Sequence, residues 1–477
     1  MSEDICFKPA VELAALIRHK AISPVEVVDA VIARAEAVNP AINGFITESF
    51  DLARDAAVEV ERQLMANGPE SLGRLAGIPV SIKDLTPTAG IRTTFGVHEY
   101  ADHVPEEDAP IVRRIREAGA VLIGKSSSPP FGWLGVTENE LIGRTNNPWD
   151  VRRSVGGSSG GSAALVAAGV GPLATGSDGG GSIRLPAALC GVVGHKPSHG
   201  RVPRGVEAQL FETVDALGPM TRTVADAALL LSVMAGPVEE EPYMLPEEGV
   251  DYVAELRAST SRGLRIAFSP DLGHGPVDRE VAEIISRAAK HFEQALGARV
   301  DEVQIEIPDP MEYFETFWAP QVSSVRDMEP GVARLWERYP ILSERRVGMT
   351  SQPADEWWRV VTSARQATFM AFATLFRRYD VLLTPTSPVP AWIHNGALGP
   401  EEIEGQKVKY PVTDFFRYTE PFGHSCHPAI TINCGFTSAG LPVGLQIAGP
   451  QRDDRGVLRA AAAYEATTDW HTRRPSI

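Results

Sequence analysis

The chain has 477 residues, 43% hydrophobic and 22% charged, with a formal net charge of −16. That length and composition support a globular core without disulfides, and the acidic balance speaks against a nucleic-acid partner, which would need a basic face. The four cysteines (Cys6, Cys190, Cys426, Cys434) form no C-x-x-C pair, the N-terminus lacks a signal-peptide pattern, and no apolar run is long enough to span a membrane, so the expectation is a reduced, cytoplasmic protein without a membrane partner.

In chain order, "SPVEVVDAVIARAEAVN" predicts a helix with Ser23 as N-cap, Pro24 at the first helical position and Glu26 closing a capping box. A second helix is predicted over 50–66. "GIPVSIKD" (77–84) alternates as a strand, "APIVRRIREAG" (109–119) reads as a helix, and "AVLIG" (120–124) as a buried strand. Residues 155–200 are rich in Gly, Ser and Ala. "TVADAALLLSVMAG" predicts a helix ending at Gly236, and the acidic segment 237–250 a surface connection. Strands and helices then alternate through "GLRIAFS", "DREVAEIISRAAKHFEQALGA" and "RVDEVQIEI". Residues 308–378 read as mainly helical and aromatic. Strand patterns return at "YDVLLTPT", "PAITINCG" and "LPVGLQIAG", followed by a last helix near 454–469. This alternation favours a layered α/β fold around a large mixed, mostly parallel sheet with helices on both sides.

Two motifs mislead. "GAVLIGKS" (119–126) matches a phosphate-loop pattern, but the apolar strand lies inside the supposed loop and "SSPPFG" follows, where its prolines forbid an immediate helix. "HSCH" (424–427) offers metal-ligand types, but a structural zinc site usually needs two spaced ligand pairs and only one cluster is present. No metal and no cofactor is expected.

The chemistry concentrates in two glycine-rich stretches. "VGGSSGGSAA" (155–164) offers Ser158, Ser159 and Ser162. "ATGSDGGGSIRLPAALC" (174–190) places a nest, Gly179, Gly180 and Gly181, before Ser182 at the start of a predicted helix. Successive glycines let backbone N–H groups converge on one anion, as an oxyanion hole requires. A serine nucleophile also needs a base. His195 and His199 are near in sequence without a recognisable triad pattern. Lys83 ends the alternating strand, where burial would lower its pKa and make a neutral amine available.

Lys83 in "GIPVSIKD", "GGSSGGS" and "DGGGSIRLPA" in that order, with "GPMTRTVADAALLL", "DVLLTPT" and "GLPVGLQIAGP", resemble the amidase signature family from about residue 8 to 475. The resemblance implies one amidase signature domain over 1–477: an N-terminal helical part (1–70), a catalytic core (71–236), a more variable substrate-shaping part (237–400) and a return to the core sheet (401–477). It implies a Ser–cis-Ser–Lys triad with Ser182 as nucleophile, Ser158 as bridging serine after a cis peptide, and Lys83 as base. Ser159 and Ser162 then support and pack, and Asp178 and Arg184 hold the nucleophile loop in shape.

Some positions depart from the family pattern. Gly179 stands where a larger residue is common, which predicts extra room beside the nucleophile. His195 replaces an apolar residue, His424 stands where Asn is frequent, and Pro130 where an acidic residue is frequent in the amidotransferase members. "FGWLG" (131–135), with Gly132 and Trp133, gives an apolar lining, joined by Phe211 and the aromatics of 313–358. The expected function is therefore hydrolysis of a small-molecule amide, ester or carbamate through an acyl-enzyme, by a monomer or homodimer. The alternative is the glutaminase subunit of a tRNA-dependent amidotransferase, which would need a polar glutamine pocket and a docking surface.

Overall fold

The computed structural model describes every residue except 1, 206–212, 257–262, 315, 319–333, 335–352 and 397. Eleven strands form one sheet in the order Phe45–Glu48, Val121–Ser126, Pro79–Lys83, Leu173–Asp178, Ala216–Thr221, Val193–Lys196, Ala429–Phe436, Pro442–Ala448, Val381–Pro385, Arg265–Phe268 and Arg299–Glu302. The sheet is mixed and flanked by helices, as expected, but it is not mostly parallel. Four strand pairings are parallel and six are antiparallel. The connections explain part of this. Ala429–Phe436 and Pro442–Ala448 are neighbours joined by residues 437–441, too short a link for a parallel crossover.

The helices follow their local signals. Pro24–Ile42 starts at Ser23 with the complete capping box, and Phe50–Asn67, Pro110–Glu117, Val224–Met234 and Asp454–Glu465 lie where the periodicity placed them. Two large apolar clusters result. One joins Ala10–Arg18, Val224–Met234, Arg279–Gln294 and Asp454–Glu465 to the sheet. The other joins Pro24–Ile42, Gly160–Ala167 and Arg184–Cys190.

The short helix Arg184–Cys190 rests on bare backbone. A Cβ on Gly194 would stand 2.6 Å from the Ala187 Cβ, and one on Gly444 2.4 Å from the Ala188 Cβ. Side chains there would lift the helix off the sheet and carry Ser182 with it. The glycines of these strands are thus a packing requirement that fixes the loop before this helix. Among the described residues no helix is long and apolar enough to cross a membrane.

Candidate active site

Two neighbouring parallel strands, Pro79–Lys83 and Leu173–Asp178, end side by side. The C-terminal ends of parallel strands are the common place for a site in α/β proteins. Lys83 is the last residue of the first strand. Ser177 and Asp178 end the second, and the glycine loop and Ser182 follow.

Lys83 is 1% exposed. Its Nζ donates to the Ser158 Oγ at 2.7 Å and to the Ser177 Oγ at 2.8 Å. Burial pushes its pKa down to about 7, against the opposing pull of Asp215 and Asp178. Ser158 is buried and follows a cis peptide at Gly157. Its stretch is tied to the loop Gly179–Ser182 by the Ser159 N–H, which donates to the Ser182 carbonyl oxygen at 3.1 Å. The Ser182 hydroxyl makes no hydrogen bond among the described residues. Gly179, Gly180, Ser177 and Ser182 keep partial access, whereas Lys83 and Ser158 lie beneath them.

Asp178 and Arg184 clamp the loop from below. Both are fully buried, and Arg184 donates from Nε and Nη2 to the two carboxylate oxygens at 2.8 and 2.7 Å. The same carboxylate accepts the Ile183 and Arg184 backbone N–H groups, and Arg184 Nη1 reaches the Thr419 carbonyl and Gln446. Burial alone would push the Asp178 pKa up, but the Arg184 charge and hydrogen bonds bring it below its ordinary value. Ser162 links Ser126 to the Thr175 carbonyl, and Ser159 bonds Ser177 backbone atoms. Both are supports.

The glycine loop is tightly lined. A Cβ on Gly181 would stand 2.2 Å from the Thr419 Oγ1, and one on Gly180 1.9 Å from the Glu420 Oε2. The extra room expected at Gly179 is not there: a Cβ would meet the Trp318 ring at 3.0 Å, because that indole already occupies the space. Trp318 stands edge-on to Trp133 at 5.9 Å between centroids. Gly132 has φ +79°, and a Cβ there would lie 3.2 Å from the Ser158 Oγ, so the "FGW" turn passes directly beside Ser158. Tyr313 and Phe317 pack on His424. Trp358 is 64% exposed and does not line the site, and Phe211 lies outside the described residues.

The remaining sequence candidates go elsewhere. Lys125, the lysine of the phosphate-loop pattern, is buried on the Thr86 carbonyl, Thr88 Oγ1 and Thr93 Oγ1. His195 faces Asp454 at 3.5 Å. His424 faces Glu420 at 3.1 Å, whereas His427 sits among Phe369, Phe372 and Phe376, where burial drives its pKa down to about 3. Among the described residues no three His, Cys, Asp or Glu side chains group as metal ligands. Sequence reasoning missed Ser177 and Glu420. Ser177 sits inside the nucleophile motif and could have been weighed as a second hydroxyl. Glu420 is an acid within a predominantly apolar stretch, a weak signal by itself.

Residues 26–458 match the amidase family. The chain is 40% identical to an acylamidase of Rhodococcus erythropolis, over 98% of this chain and 97% of that protein. It is 36% identical to a glutamyl-tRNA(Gln) amidotransferase subunit of Moorella thermoacetica, over 99% of both. The crystal structure of a bacterial aryl acylamidase of the amidase signature family superposes with a TM-score of 0.89 at 31% identity, over 98% of each chain.

Proposed function

The chain belongs to the amidase family, and from that premise we propose that it is an acylamidase, hydrolysing apolar or aryl amides, and esters or carbamates of similar shape, through an acyl-enzyme on Ser182. The observation that carries this is the buried Lys83 bonded to Ser158 directly beneath the nucleophile loop. With its pKa lowered toward neutrality, Lys83 is available as a neutral amine. Ser182 Oγ attacks the carbonyl carbon, its proton passes to Ser158 Oγ, and the Ser158 proton passes to Lys83 Nζ. The negative charge on the carbonyl oxygen is met by N–H groups of the loop Gly179–Ser182. Collapse breaks the C–N bond, and the proton returns through Ser158 to the leaving nitrogen. Water then reverses the path and frees the acid. Every proton is handed on by the chain's own groups.

The aromatic wall Trp133–Trp318 supports an apolar substrate over glutamine. In this reading residues 71–236 carry the triad, and residues 237–400 shape the pocket through Tyr313, Phe317 and Trp318. The test is kcat/KM for an anilide, an aryl ester, an aryl carbamate, acetamide and glutamine. Anilide turnover well above glutamine turnover is expected. A strong glutamine preference would favour the amidotransferase reading instead.

A further inference from the structure

Glu420 is fully buried at the start of the short helix Glu420–His424. Its two oxygens differ. Oε1 accepts the Trp318 indole N–H at 2.9 Å and lies 3.1 Å from the His424 Nε2. Oε2 has no hydrogen-bond partner among the described residues and faces the glycine loop so closely that Gly180 must be bare. Arg365 commits its guanidinium to the His424 carbonyl and the Thr213 hydroxyl rather than to this carboxylate. A buried carboxylate oxygen left without a donor is costly, and the large majority of buried polar side-chain atoms are satisfied. The surroundings are aromatic, with Trp318 against the carboxylate, Trp133 edge-on to Trp318, and Tyr313 and Phe317 behind. Rings around one carboxylate form a setting that favours a cation or a strong N–H donor over a neutral methyl.

We propose that Glu420 is a specificity-determining residue whose free Oε2 receives an N–H donor, best a protonated amine, carried by the substrate next to the scissile carbonyl. Oε2 abuts Gly180 in the loop that meets the carbonyl oxygen, so a substituent one atom from the carbonyl carbon is the part of the substrate within its reach. The Trp318 and His424 contacts hold the carboxylate so that one oxygen is fixed and the other, buried and without a donor, rests against Gly180. This inference rests on the hydrolase reading and narrows its substrate class to aminoacyl amides.

The probes are glycine anilide, which carries an ammonium beside the carbonyl at neutral pH, and propionanilide, which carries a methyl in its place. The wild-type protein is expected to favour glycine anilide in kcat/KM, and Glu420→Gln to lower the ratio between the two at least ten-fold. Because the readout is a ratio, a general loss of activity does not imitate it. A wild-type preference for propionanilide, or a ratio unchanged by Glu420→Gln, overturns the proposal and leaves Glu420 as a prop for Trp318 and His424. Calorimetric binding of glycine anilide to Ser182→Ala, with and without Glu420→Gln, separates the two readings. Glu420-dependent binding without turnover of any anilide by the wild type keeps the subsite and removes the hydrolase reading. Absent binding, or binding equal in both proteins, removes the subsite.

Discussion

Lys83 and Lys125 stand on neighbouring parallel strands, one register step apart: Ile82 pairs with Lys125 and Lys83 with Ser126. Both are buried, and in both burial pushes the pKa down to about 7. Their partners differ. Lys125 is enclosed by one carbonyl and two threonine hydroxyls, with the buried Asp84 carboxylate as its main opposing charge. Lys83 touches two serine hydroxyls, neither of which is bonded to anything else among the described residues, and Ser158 lies beneath the accessible loop Gly179–Ser182. A lowered pKa therefore does not by itself make a lysine a base. A path of transferable protons leading from it to an accessible group does.

The largest expected effects break this comparison on the Lys83 side. Ser182→Ala should lower kcat/KM by roughly 10⁴-fold or more, and Lys83→Met by a similar order, because members of a catalytic unit are not additive. Steady-state kinetics on an anilide checks both, with Tm confirming that the fold remains. A Ser182→Ala protein with half its activity would end the assignment. Lys125→Met is expected to behave in the opposite way. It takes the donor from the buried Thr88 and Thr93 hydroxyl oxygens, one of two donors from the Thr86 carbonyl, and from Asp84 its main counter-charge, at a cost of about 3 kcal/mol or more. Denaturant unfolding should show that loss, while the protein that remains folded keeps turnover within about ten-fold of the wild type. Equal kinetic damage from both substitutions would erase the distinction.

A pH profile sharpens the same contrast. The base must be unprotonated to accept from Ser158. Lys83 lies below its ordinary 10.5, at about 7, so kcat/KM for a neutral anilide should fall about ten-fold for each pH unit below that midpoint and level off above it. An ordinary exposed lysine would put the limb near pH 10 instead. A limb there would mean that Lys83 is solvated in the working enzyme, and no limb between pH 5 and 10 would remove it as the base.

Much of this site was legible in the sequence because its parts are local. Lys83, the "GGSSGG" stretch and "DGGGSIR" are short motifs whose geometry is set within a few residues, and the capped helix at Ser23 was equally self-contained. The central strands were not legible. Leu173–Asp178 and Ala216–Thr221 are buried at nearly every position and mix small, polar and apolar residues, so neither shows the period of two that marked "GIPVSIKD". Gly176 in the first of them and Gly194 in Val193–Lys196 are bare to admit Ile183 and Ala187. The antiparallel majority of the sheet leaves no mark in the strand patterns, because strand direction is set by pairing across the chain. Glu420 and Trp318 reach the glycine loop from 240 and 139 positions beyond Gly180 and Gly179 (420 − 180 and 318 − 179). Contacts at that separation leave no local mark, which is why Gly179 read as open space.

The smallest effect concerns the accessible side, which Lys125 lacks altogether. Trp133 keeps partial access and meets Trp318 edge to face, next to Gly132, whose backbone borders Ser158. An aryl group bound at the nucleophile would lie against this wall. Trp133→Ala removes the wall on one side. The loss of about 60 Å² of apolar contact, at roughly 25 cal/mol per Å², amounts to about 1.5 kcal/mol, or a factor near ten in kcat/KM for an anilide. Acetamide offers no ring and should lose less than about three-fold. The ratio of the two substrates is therefore the measurement, since it cancels any shift of the Lys83–Ser158 pair beneath. If both substrates fall together, Trp133 acts by holding the turn that carries Gly132 against Ser158. If only the anilide falls, the wall is a binding surface, and the difference between the two lysines extends to the substrate that the open one serves.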